Sequence, residues 1–283
     1  MNKIVQTIKP LVSINWLHQH IDATNLIILE GTLPKVGIKN SEENVEEFQI
    51  LNARFFDIKK VFSKQNAPFP NTVLEPNDFE NEARKLGIHK DSCIVVYDDH
   101  GMYSAPRVWW LFKTFGFENI AVLDGGLPEW KANKYKLELK QLRNYPLGDF
   151  EVSYKENRLI DSNAVLSSIN NREKQIVDAR SLGRFNGTEP EPRDEIRSGH
   201  IPTSKNLPHS SLLSNFQLKS KDELKQLFSN INPENKEMIF SCGSGITACV
   251  LALGAAVVGN KNMSVYDGSW TEWGSLHHLP IEK

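Results

Sequence analysis

Continuous apolar runs alternate along this chain with segments of mixed polarity. Residues 25–31, 92–98 and 119–126 are apolar at successive positions rather than at every second one. Strands of a parallel sheet are covered on both faces and show this pattern, so each run predicts a buried parallel strand. Helical patterns lie between the runs, and this alternation predicts an α/β fold in which helices flank parallel sheets.

Two of the helical segments have recognisable ends. The stretch "EPNDFENEARKLGI" predicts a helix with Asn77 as N-cap and Gly87 just beyond its end. The stretch "SAPRVWWLFKTFG" predicts a second helix, capped by Ser104 and stopped by Gly116. Short polar side chains satisfy free N–H groups at helix starts, and glycine adopts the left-handed conformation that ends helices.

The second half of the chain repeats the order of the first. Matching residues lie 143 to 148 positions apart, and the pairs are Ser13/Asp161, Glu30/Asp178, Asn77/Ser220, Asp98/Cys242, Asp124/Asp267 and Trp130/Trp273. Self-similarity at a nearly constant spacing indicates duplication, here of an α/β domain, and makes one large α/β domain the weaker interpretation. We predict a first domain over residues 1–138 and a second over residues 158–283.

The join between the domains is predicted at residues 139–157. The surrounding stretch is polar, contains Pro146 and Gly148 and lacks sustained hydrophobic periodicity, as is typical of a linker. One other long irregular stretch, residues 183–206, follows a predicted strand. In a compact domain such a loop is usually functional or disordered.

Charge and cysteine content narrow the function classes. Lys and Arg number 33 against 35 Asp and Glu, a net charge of -2, so no general basic field favours nucleic acid or an anionic membrane. The N-terminus has no secretory pattern and no apolar run reaches the length of a membrane span, which predicts a cytoplasmic protein. Cys93, Cys242 and Cys249 have neither disulfide nor zinc spacing, so free thiols are expected.

Cys242 lies in the stretch "EMIFSCGSGITACVLALGAA", directly after a predicted strand and before a predicted helix. Ligands of open parallel sheets bind beyond the carboxyl ends of the strands. Gly243 and Gly245 allow the backbone to curl so that successive N–H groups point inward at the helix N-terminus, and Ser244 and Thr247 add hydroxyl groups. Such a loop stabilises a thiolate, which is the nucleophilic form of cysteine.

Several interpretations of this cysteine remain open. A lone cysteine after a strand is often a small buried hydrophobe, and Cys249, within the apolar helix, fits that description. A phosphatase of the CxxxxxR type requires an arginine six residues after its cysteine, whereas Ala248 stands there. A sulfurtransferase requires only a thiolate and amides that stabilise a persulfide anion.

The motifs as a set resemble the two-domain rhodanese family over almost the whole chain. They are "CGSGITA", "SAPRVWWLFKTFG", "VLDGG", "GRFNGTEPEPR" and "GHIP". The uncharged "CGSG" resembles the 3-mercaptopyruvate sulfurtransferase branch, since the thiosulfate branch typically has basic residues in that loop. The resemblance implies two rhodanese-like domains, of which the first is catalytically silent, in agreement with Asp98 at the position that matches Cys242.

The resemblance also implies a reaction. Sulfur moves from 3-mercaptopyruvate to a thiol acceptor, such as a small thiol or a thioredoxin, through a persulfide on Cys242, without cofactor or metal. Ser244 assists proton movement, and the loop of Gly243, Gly245, Ile246 and Thr247 stabilises the sulfur anion. No nucleic acid or membrane partner is implied.

Two arginines of the irregular loop, Arg184 and Arg193, are implied to bind the substrate carboxylate and keto oxygen. A guanidinium fork matches an α-keto acid better than a point charge does. Asp178 and Arg180, at the preceding strand end, are weaker candidates for positioning this loop. Arg197 is left outside the predicted site.

The sequence departs from the family at a proposed proton relay. Mercaptopyruvate sulfurtransferases commonly have an acidic residue after "FFDI" and a histidine after a "PxP" element, whereas this chain has Lys59 and Asn71. An amide does not shuttle protons near neutral pH. His277 and His278 are expected at the surface. Thiosulfate sulfurtransferase and a non-catalytic sulfur-relay or binding module therefore remain alternatives.

Overall fold

The computed structural model describes residues 3–7, 9–35 and 47–283. The strands in this part of the chain are β1 (Leu11–Val12), β2 (Leu26–Glu30), β3 (Phe48–Ile50), β4 (Arg54–Phe55), β5 (Cys93–Tyr97), β6 (Ile120–Leu123), β7 (Leu137–Leu139), β8 (Leu159–Ile160), β9 (Lys174–Asp178), β10 (Lys205–Asn206), β11 (Leu213–Ser214), β12 (Gln217–Leu218), β13 (Glu237–Ser241) and β14 (Met263–Tyr266). The α-helices are α1 (Ile14–His20), α2 (Pro76–Lys85), α3 (Ala105–Thr114), α4 (Gly126–Ala132), α5 (Ser162–Ser168), α6 (Leu182–Phe185), α7 (Lys221–Ile231), α8 (Ala248–Val258) and α9 (Ser269–Ser275).

The chain forms two compact units. The first comprises Met1–Ser63, Leu74–Tyr154 and Asn215–Leu218, and the second comprises Lys64–Val73, Lys155–Ser214 and Lys219–Lys283. The short segment Lys64–Val73 thus belongs to the second unit, although the chain around it belongs to the first. The predicted boundaries at residues 138 and 158 stay a prediction.

Each unit contains a five-stranded parallel sheet, as the apolar runs predicted. The strand order is β1-β6-β5-β2-β4 in the first unit and β8-β14-β13-β9-β10 in the second. These two orders correspond strand for strand when the two halves of the sequence are matched. The predicted α/β fold, present in two copies along the chain, is therefore confirmed.

The register of the second sheet determines which residues meet at its carboxyl edge. In the centre of this sheet β9 pairs with β13, from Lys174 opposite Glu237 to Asp178 opposite Ser241. Parallel strands end at the same edge, so the residues that follow Asp178 and Ser241 emerge side by side. Cys242 is one of them, at the place where α/β sheets bind ligands.

The helix that follows Cys242 is part of the core. Residues 248–255 of α8 are all buried, and the helix is apolar on every side, which is typical of a helix covered all round. Cys249 is fully buried within it, as predicted. Because α8 is enclosed, the loop between β13 and α8 is anchored at both ends.

The predicted helix ends are correct in part. Gly87 follows α2 with a φ of +66°, as expected of a stop signal. The N-cap prediction for this helix is wrong, because α2 begins at Pro76 with Glu75 at the N-cap and Asn77 inside the first turn. Proline is favoured at the first helical position, so Pro76 starts the helix before Asn77. Ser104 does precede α3, but its hydroxyl accepts a hydrogen bond from Leu33 N–H instead of capping.

Replacing Ser220 with alanine is expected to lower the free energy of unfolding by about 1 kcal/mol. Ser220 and Glu223 form a complete capping box at the start of α7, in which each side chain accepts from the other's backbone N–H. Urea unfolding measures the change. The matched control is Ser229→Ala, at an exposed position of the same helix. Equal effects of the two substitutions would contradict the capping role.

Candidate active site

Cys242 lies in the turn between β13 and α8 and is 1% exposed. Burial alone fits a small core residue as well as a nucleophile. The loop geometry carries more information. Gly245 has a φ of +75°, a left-handed conformation that residues other than glycine rarely adopt, so the loop turns at this position.

The loop presents several backbone N–H groups without protein acceptors. In the described part of the chain, no acceptor is found for the N–H groups of Gly243, Ser244, Ile246 and Thr247. Thr247 occupies the N-cap position of α8, so these groups stand at a helix N-terminus. Several free amides at the positive end of a helix dipole favour an anion beside them.

Ser269 holds this loop through hydrogen bonds to its backbone. Its Oγ accepts from the N–H groups of Cys242 at 3.1 Å and Gly245 at 3.2 Å, and lies 3.9 Å from Cys242 Sγ. It also donates to the carbonyl oxygen of Tyr266 at 2.9 Å. Ser269 is fully buried and has a φ of +50°, an unfavourable conformation for serine. Such strain persists only where the surroundings enforce it, and here the hydroxyl holds both ends of the turn.

The first unit has an equivalent loop that holds a carboxylate. Asp98, which matches Cys242, is fully buried, and its Oδ2 accepts from the N–H groups of Tyr103, Ser104 and Ala105 at 2.8 to 2.9 Å. These three groups stand at the start of α3. The first loop therefore directs three backbone N–H groups at one carboxyl oxygen, so this backbone arrangement suits a hydrogen-bond acceptor.

Arg184 lies beside the cysteine loop. The structure places it on the short helix α6, where Ser181 accepts from its backbone N–H. A Cβ atom built on Gly243 would lie 3.2 Å from Arg184 Nη2 and 3.7 Å from Nη1, so the guanidinium packs against the residue next to Cys242. Glu191 accepts two hydrogen bonds from it, from Nη2 at 2.6 Å and from Nε at 3.3 Å.

Arg193 reaches the same glycine through Thr271. Arg193 Nη1 donates to Thr271 Oγ1 at 3.1 Å, and Thr271 Oγ1 donates to the carbonyl oxygen of Gly243 at 2.6 Å. The backbone N–H of Thr271 donates to the same carbonyl at 2.9 Å. Both arginines of the irregular loop are thus brought to Gly243.

Asp178 and Arg180 hold the base of that loop. Arg180 is buried, pairs with Asp178 through Nε and Nη2, and donates through Nη1 to Glu191 at 2.8 Å and through Nη2 to the carbonyl of Gly199. Its guanidinium also lies 4.3 Å from the ring centroid of Trp270. These contacts tie the strand end to two points of the loop, Glu191 and Gly199.

Ser244 has a side-chain partner at the position where the family commonly has a histidine. Asn71 belongs to the second unit, and its Nδ2 donates to both the carbonyl oxygen and the Oγ of Ser244, each at 3.2 Å. Asn71 has a φ of +61°, which asparagine tolerates better than most residues. Lys59 belongs to the first unit and is exposed.

Other candidates are structural or at the surface. Arg197 donates to the carbonyl oxygens of four residues at and after the end of α9, namely Trp273, Gly274, Leu276 and Leu279. His277 and His278 are exposed, as expected. Among the described residues no group of three or more His, Cys, Asp or Glu side chains is arranged to hold a metal ion. None of the helices in the same residues has the length and apolarity to cross a membrane.

Sequence reasoning missed Ser269, Thr271 and Glu191. A signal existed for the first two, because "DGGLP" in the first repeat matches "DGSWT" in the second, so Ser269 replaces Gly126 and Thr271 replaces Pro128. Gly126 has a φ of +53°, close to that of Ser269. A serine at a position that suits glycine indicates that its hydroxyl is needed. Glu191 gave no comparable signal within the charged stretch "EPEPR".

Comparison with known proteins agrees with this geometry. The model of the rhodanese-like domain matches residues 13–133 and 162–276. The 3-mercaptopyruvate sulfurtransferase of Escherichia coli K12 is 35% identical over 274 residues, which cover 96% of this chain and 97% of that protein. The thiosulfate sulfurtransferase of Bos taurus is 34% identical over 286 residues, which cover 97% and 94%.

A solved structure gives the same result. The crystal structure of SseA from Escherichia coli, described as a 3-mercaptopyruvate sulfotransferase with the rhodanese fold, superposes with a TM-score of 0.82. It is 34% identical in sequence and covers 93% of this chain and 99% of its own. Two matched domains, two corresponding sheets and full-length relatives lead to one conclusion: the chain belongs to the rhodanese family and contains two rhodanese-like domains.

Proposed function

We propose that this protein is a 3-mercaptopyruvate sulfurtransferase that transfers sulfur to a thiol acceptor through a persulfide on Cys242. The observation that carries the proposal is the loop from Cys242 to Thr247, in which a thiol at a strand end is followed by free backbone amides at a helix N-terminus. Four N–H groups of that loop have no acceptor among the described residues. The relatives named above include a 3-mercaptopyruvate sulfurtransferase at full length, which supports the same assignment.

The chemistry balances without a cofactor. The Cys242 thiolate attacks the sulfur of 3-mercaptopyruvate, an S–S bond forms and the C–S bond of the donor breaks. The electron pair of that bond leaves with pyruvate as its enolate, which then takes up a proton. A thiolate of the acceptor next attacks the outer sulfur of the persulfide and releases the Cys242 thiolate.

The surrounding residues have separate roles in this proposal. The amides of Gly243, Ser244, Ile246 and Thr247 stabilise the negative sulfur, and Gly245 provides the turn that aims them. Arg184 and Arg193 hold the carboxylate and the keto oxygen of the donor. Ser244 accepts a hydrogen bond from Asn71, which leaves its own hydroxyl hydrogen free to be donated to the donor or to the enolate.

A donor panel with mass detection tests the proposal. We expect turnover with 3-mercaptopyruvate to exceed that with thiosulfate, ping-pong kinetics, and a mass gain of about 32 Da on Cys242 after exposure to donor alone. Preference for thiosulfate would reassign the donor, and the bovine relative gives that alternative a specific basis. No mass gain with either donor would instead favour a non-catalytic module.

The acceptor and the location are finer parts of the proposal. A small thiol or a thioredoxin is proposed as acceptor, since only a nucleophilic thiolate is needed for the second step. Steady-state rates with each acceptor distinguish the two. The cytoplasmic location expected from the N-terminal sequence stays a prediction.

Replacing Asn71 with histidine is expected to give the kcat profile a new ionisation near pH 6.5, with a rate about tenfold higher on its alkaline side. Neutral imidazole can take the proton of Ser244, whereas the amide of Asn71 only holds the hydroxyl in place. The measurement is kcat against pH for the variant and the unmodified protein. Asn71→Gly is the control, since glycine accepts the left-handed backbone without supplying a side chain. A flat profile for Asn71→His would contradict the positioning of residue 71 beside Ser244.

A further inference from the structure

A buried cluster of four charged side chains lies under the proposed donor site. Asp178, Arg180 and Glu191 are each at least nine-tenths buried, and Arg184 is partly exposed beside them. Arg180 joins the two carboxylates, with Nη2 at 2.7 Å from Asp178 Oδ2 and Nη1 at 2.8 Å from Glu191 Oε1. Glu191 then joins Arg180 to Arg184, so the cluster is continuous up to the edge of the cysteine loop.

Glu191 occupies one edge of the Arg184 guanidinium. Its two oxygens accept from Nε and Nη2, at 3.3 Å and 2.6 Å. The end formed by Nη1 and Nη2 faces Gly243, where a Cβ atom would lie 3.7 Å and 3.2 Å from these nitrogens. A donor carboxylate can use that end while Glu191 keeps the other edge, because a guanidinium has two edges that each take a carboxylate.

The cluster has no net charge, since two carboxylates face two guanidinium groups. Arg184 therefore meets the donor with its charge already balanced by Glu191, which is buried and so is poorly screened by solvent. Arg193, which reaches Gly243 through Thr271, has no carboxylate partner among the ion pairs of the described residues and supplies an unbalanced positive charge.

We propose that Glu191 limits the positive charge of the donor site, so that the site selects a monoanionic sulfur donor over a dianionic one. The inference rests on the proposed function. At neutral pH 3-mercaptopyruvate carries one negative charge, because its thiol, with a pKa near 8.5, is mostly protonated. Thiosulfate carries two. The Coulomb energy of a donor scales with its charge, so a carboxylate beside the site disfavours the dianion about twice as strongly as the monoanion.

The test removes the charge of Glu191 and keeps its shape. In Glu191→Gln, the ratio of kcat/KM for thiosulfate to that for 3-mercaptopyruvate is expected to rise about tenfold over the unmodified protein. Glu191→Asp keeps the charge and shortens the side chain, so it is expected to lower both rates without changing their ratio. If the role of Glu191 were only structural, the ratio of kcat/KM for the two donors would be the same in Glu191→Gln and Glu191→Asp.

A matched control distinguishes the effect of the charge at Glu191 from the effect of removing any negative charge from the loop. Glu189→Gln makes the same charge change two residues away on the same loop, but Glu189 is exposed and is expected to leave the ratio within about twofold of the unmodified protein. An unchanged ratio in Glu191→Gln, with 3-mercaptopyruvate turnover retained, overturns the inference and leaves the proposed function intact. Failure of the unmodified protein to use 3-mercaptopyruvate overturns the proposed function.

A second measurement needs no variant and applies if Glu191→Gln does not fold. Pyruvate and oxaloacetate share an α-keto carboxylate, and oxaloacetate carries a second negative charge. When both are tested as inhibitors of the unmodified protein, oxaloacetate is expected to bind no more tightly than pyruvate, because the cluster offers no additional positive charge. Inhibition by oxaloacetate that is about ten times stronger would overturn the inference.

Discussion

Replacing Cys242 with serine is expected to lower kcat/KM for 3-mercaptopyruvate by at least about a thousandfold and to abolish the persulfide. A serine hydroxyl is a far weaker nucleophile toward sulfur, and it stays protonated at neutral pH. The substitution changes one atom in a loop fixed by Ser269 and Gly245, so the fold is expected to remain. The lost activity would then report on the sulfur atom and not on the surroundings.

The other two cysteines are poor alternatives as nucleophiles. Cys93 is fully buried in β5, and this burial raises the pKa of its thiol to about 11, so its thiolate is scarce at neutral pH. Cys249 is enclosed in α8, where its Sγ donates to the carbonyl of Gly245 at 3.3 Å. Neither lies at a strand end among free amides.

Intact-protein mass and steady-state rates measure the effect. The unmodified protein should gain about 32 Da after exposure to 3-mercaptopyruvate, and Cys242→Ser should gain nothing. The matched control is Cys93→Ala, which removes a buried thiol from the first unit and should retain both the mass gain and the rate. A mass gain of the same size in Cys242→Ser would assign the persulfide to another cysteine.

The duplicated fold could be predicted because the information is local and repeated. Each buried strand is a short apolar run, and each repeat contains the same order of runs and caps. The matched residues Ser13 and Asp161 each cap a helix, and their side chains accept from Trp16 N–H and Ala164 N–H. The match between the strand orders follows from that repeated order.

The bounds of the compact units could not be predicted from the sequence so directly. Lys64–Val73 and Asn215–Leu218 each belong to the unit that does not surround them along the chain. Each assignment depends on contacts far away in sequence, such as Asn71 with Ser244 and Leu218 with Asp124. Asn77 failed as an N-cap for a local reason, because Pro76 starts the helix one residue earlier.

The place of the cysteine loop between a strand and a helix was predictable because the loop is six consecutive residues between two apolar runs. The supports of the loop are not consecutive with it, since Ser269 and Thr271 come from the following strand-helix turn and Glu191 from the irregular loop. Each acts through one hydroxyl or carboxylate whose direction depends on the fold. Asn71 illustrates the same limit, because the sequence shows only that it stands where the family commonly has a histidine, and its hydrogen bond to Ser244 depends on the fold.

Replacing Arg184 with lysine is expected to lower kcat/KM for 3-mercaptopyruvate by about a hundredfold, mainly through KM. Lysine keeps a positive charge beside Glu191. Unlike the guanidinium group, however, it cannot present two parallel N–H groups to the donor carboxylate while it also binds Glu191. Charged hydrogen bonds contribute about 1.5 to 3 kcal/mol each, and 2.7 kcal/mol is about a hundredfold. The donor carboxylate takes no part in bond breaking. Loss of its contact with Arg184 therefore weakens binding of the ground state and of the transition state alike.

The matched control is Arg172→Lys, at an exposed position on the same unit. It makes the same chemical change away from the loop and should leave KM within about twofold. Thermal unfolding of both variants checks that Arg184→Lys keeps its fold, since the charge next to Glu191 is retained. A KM for Arg184→Lys close to that of the control would remove Arg184 from the donor site.

Inhibition by pyruvate separates donor binding from sulfur transfer in the same variant. Pyruvate has the α-keto carboxylate of the donor and no sulfur, so it reports on the arginine contact alone. If Arg184 binds the carboxylate, the inhibition constant for pyruvate should rise in Arg184→Lys by about the same factor as KM, while kcat changes by less than about threefold. A fall in kcat with an unchanged inhibition constant would instead mean that Arg184 supports the Cys242 loop, against which its guanidinium packs at Gly243.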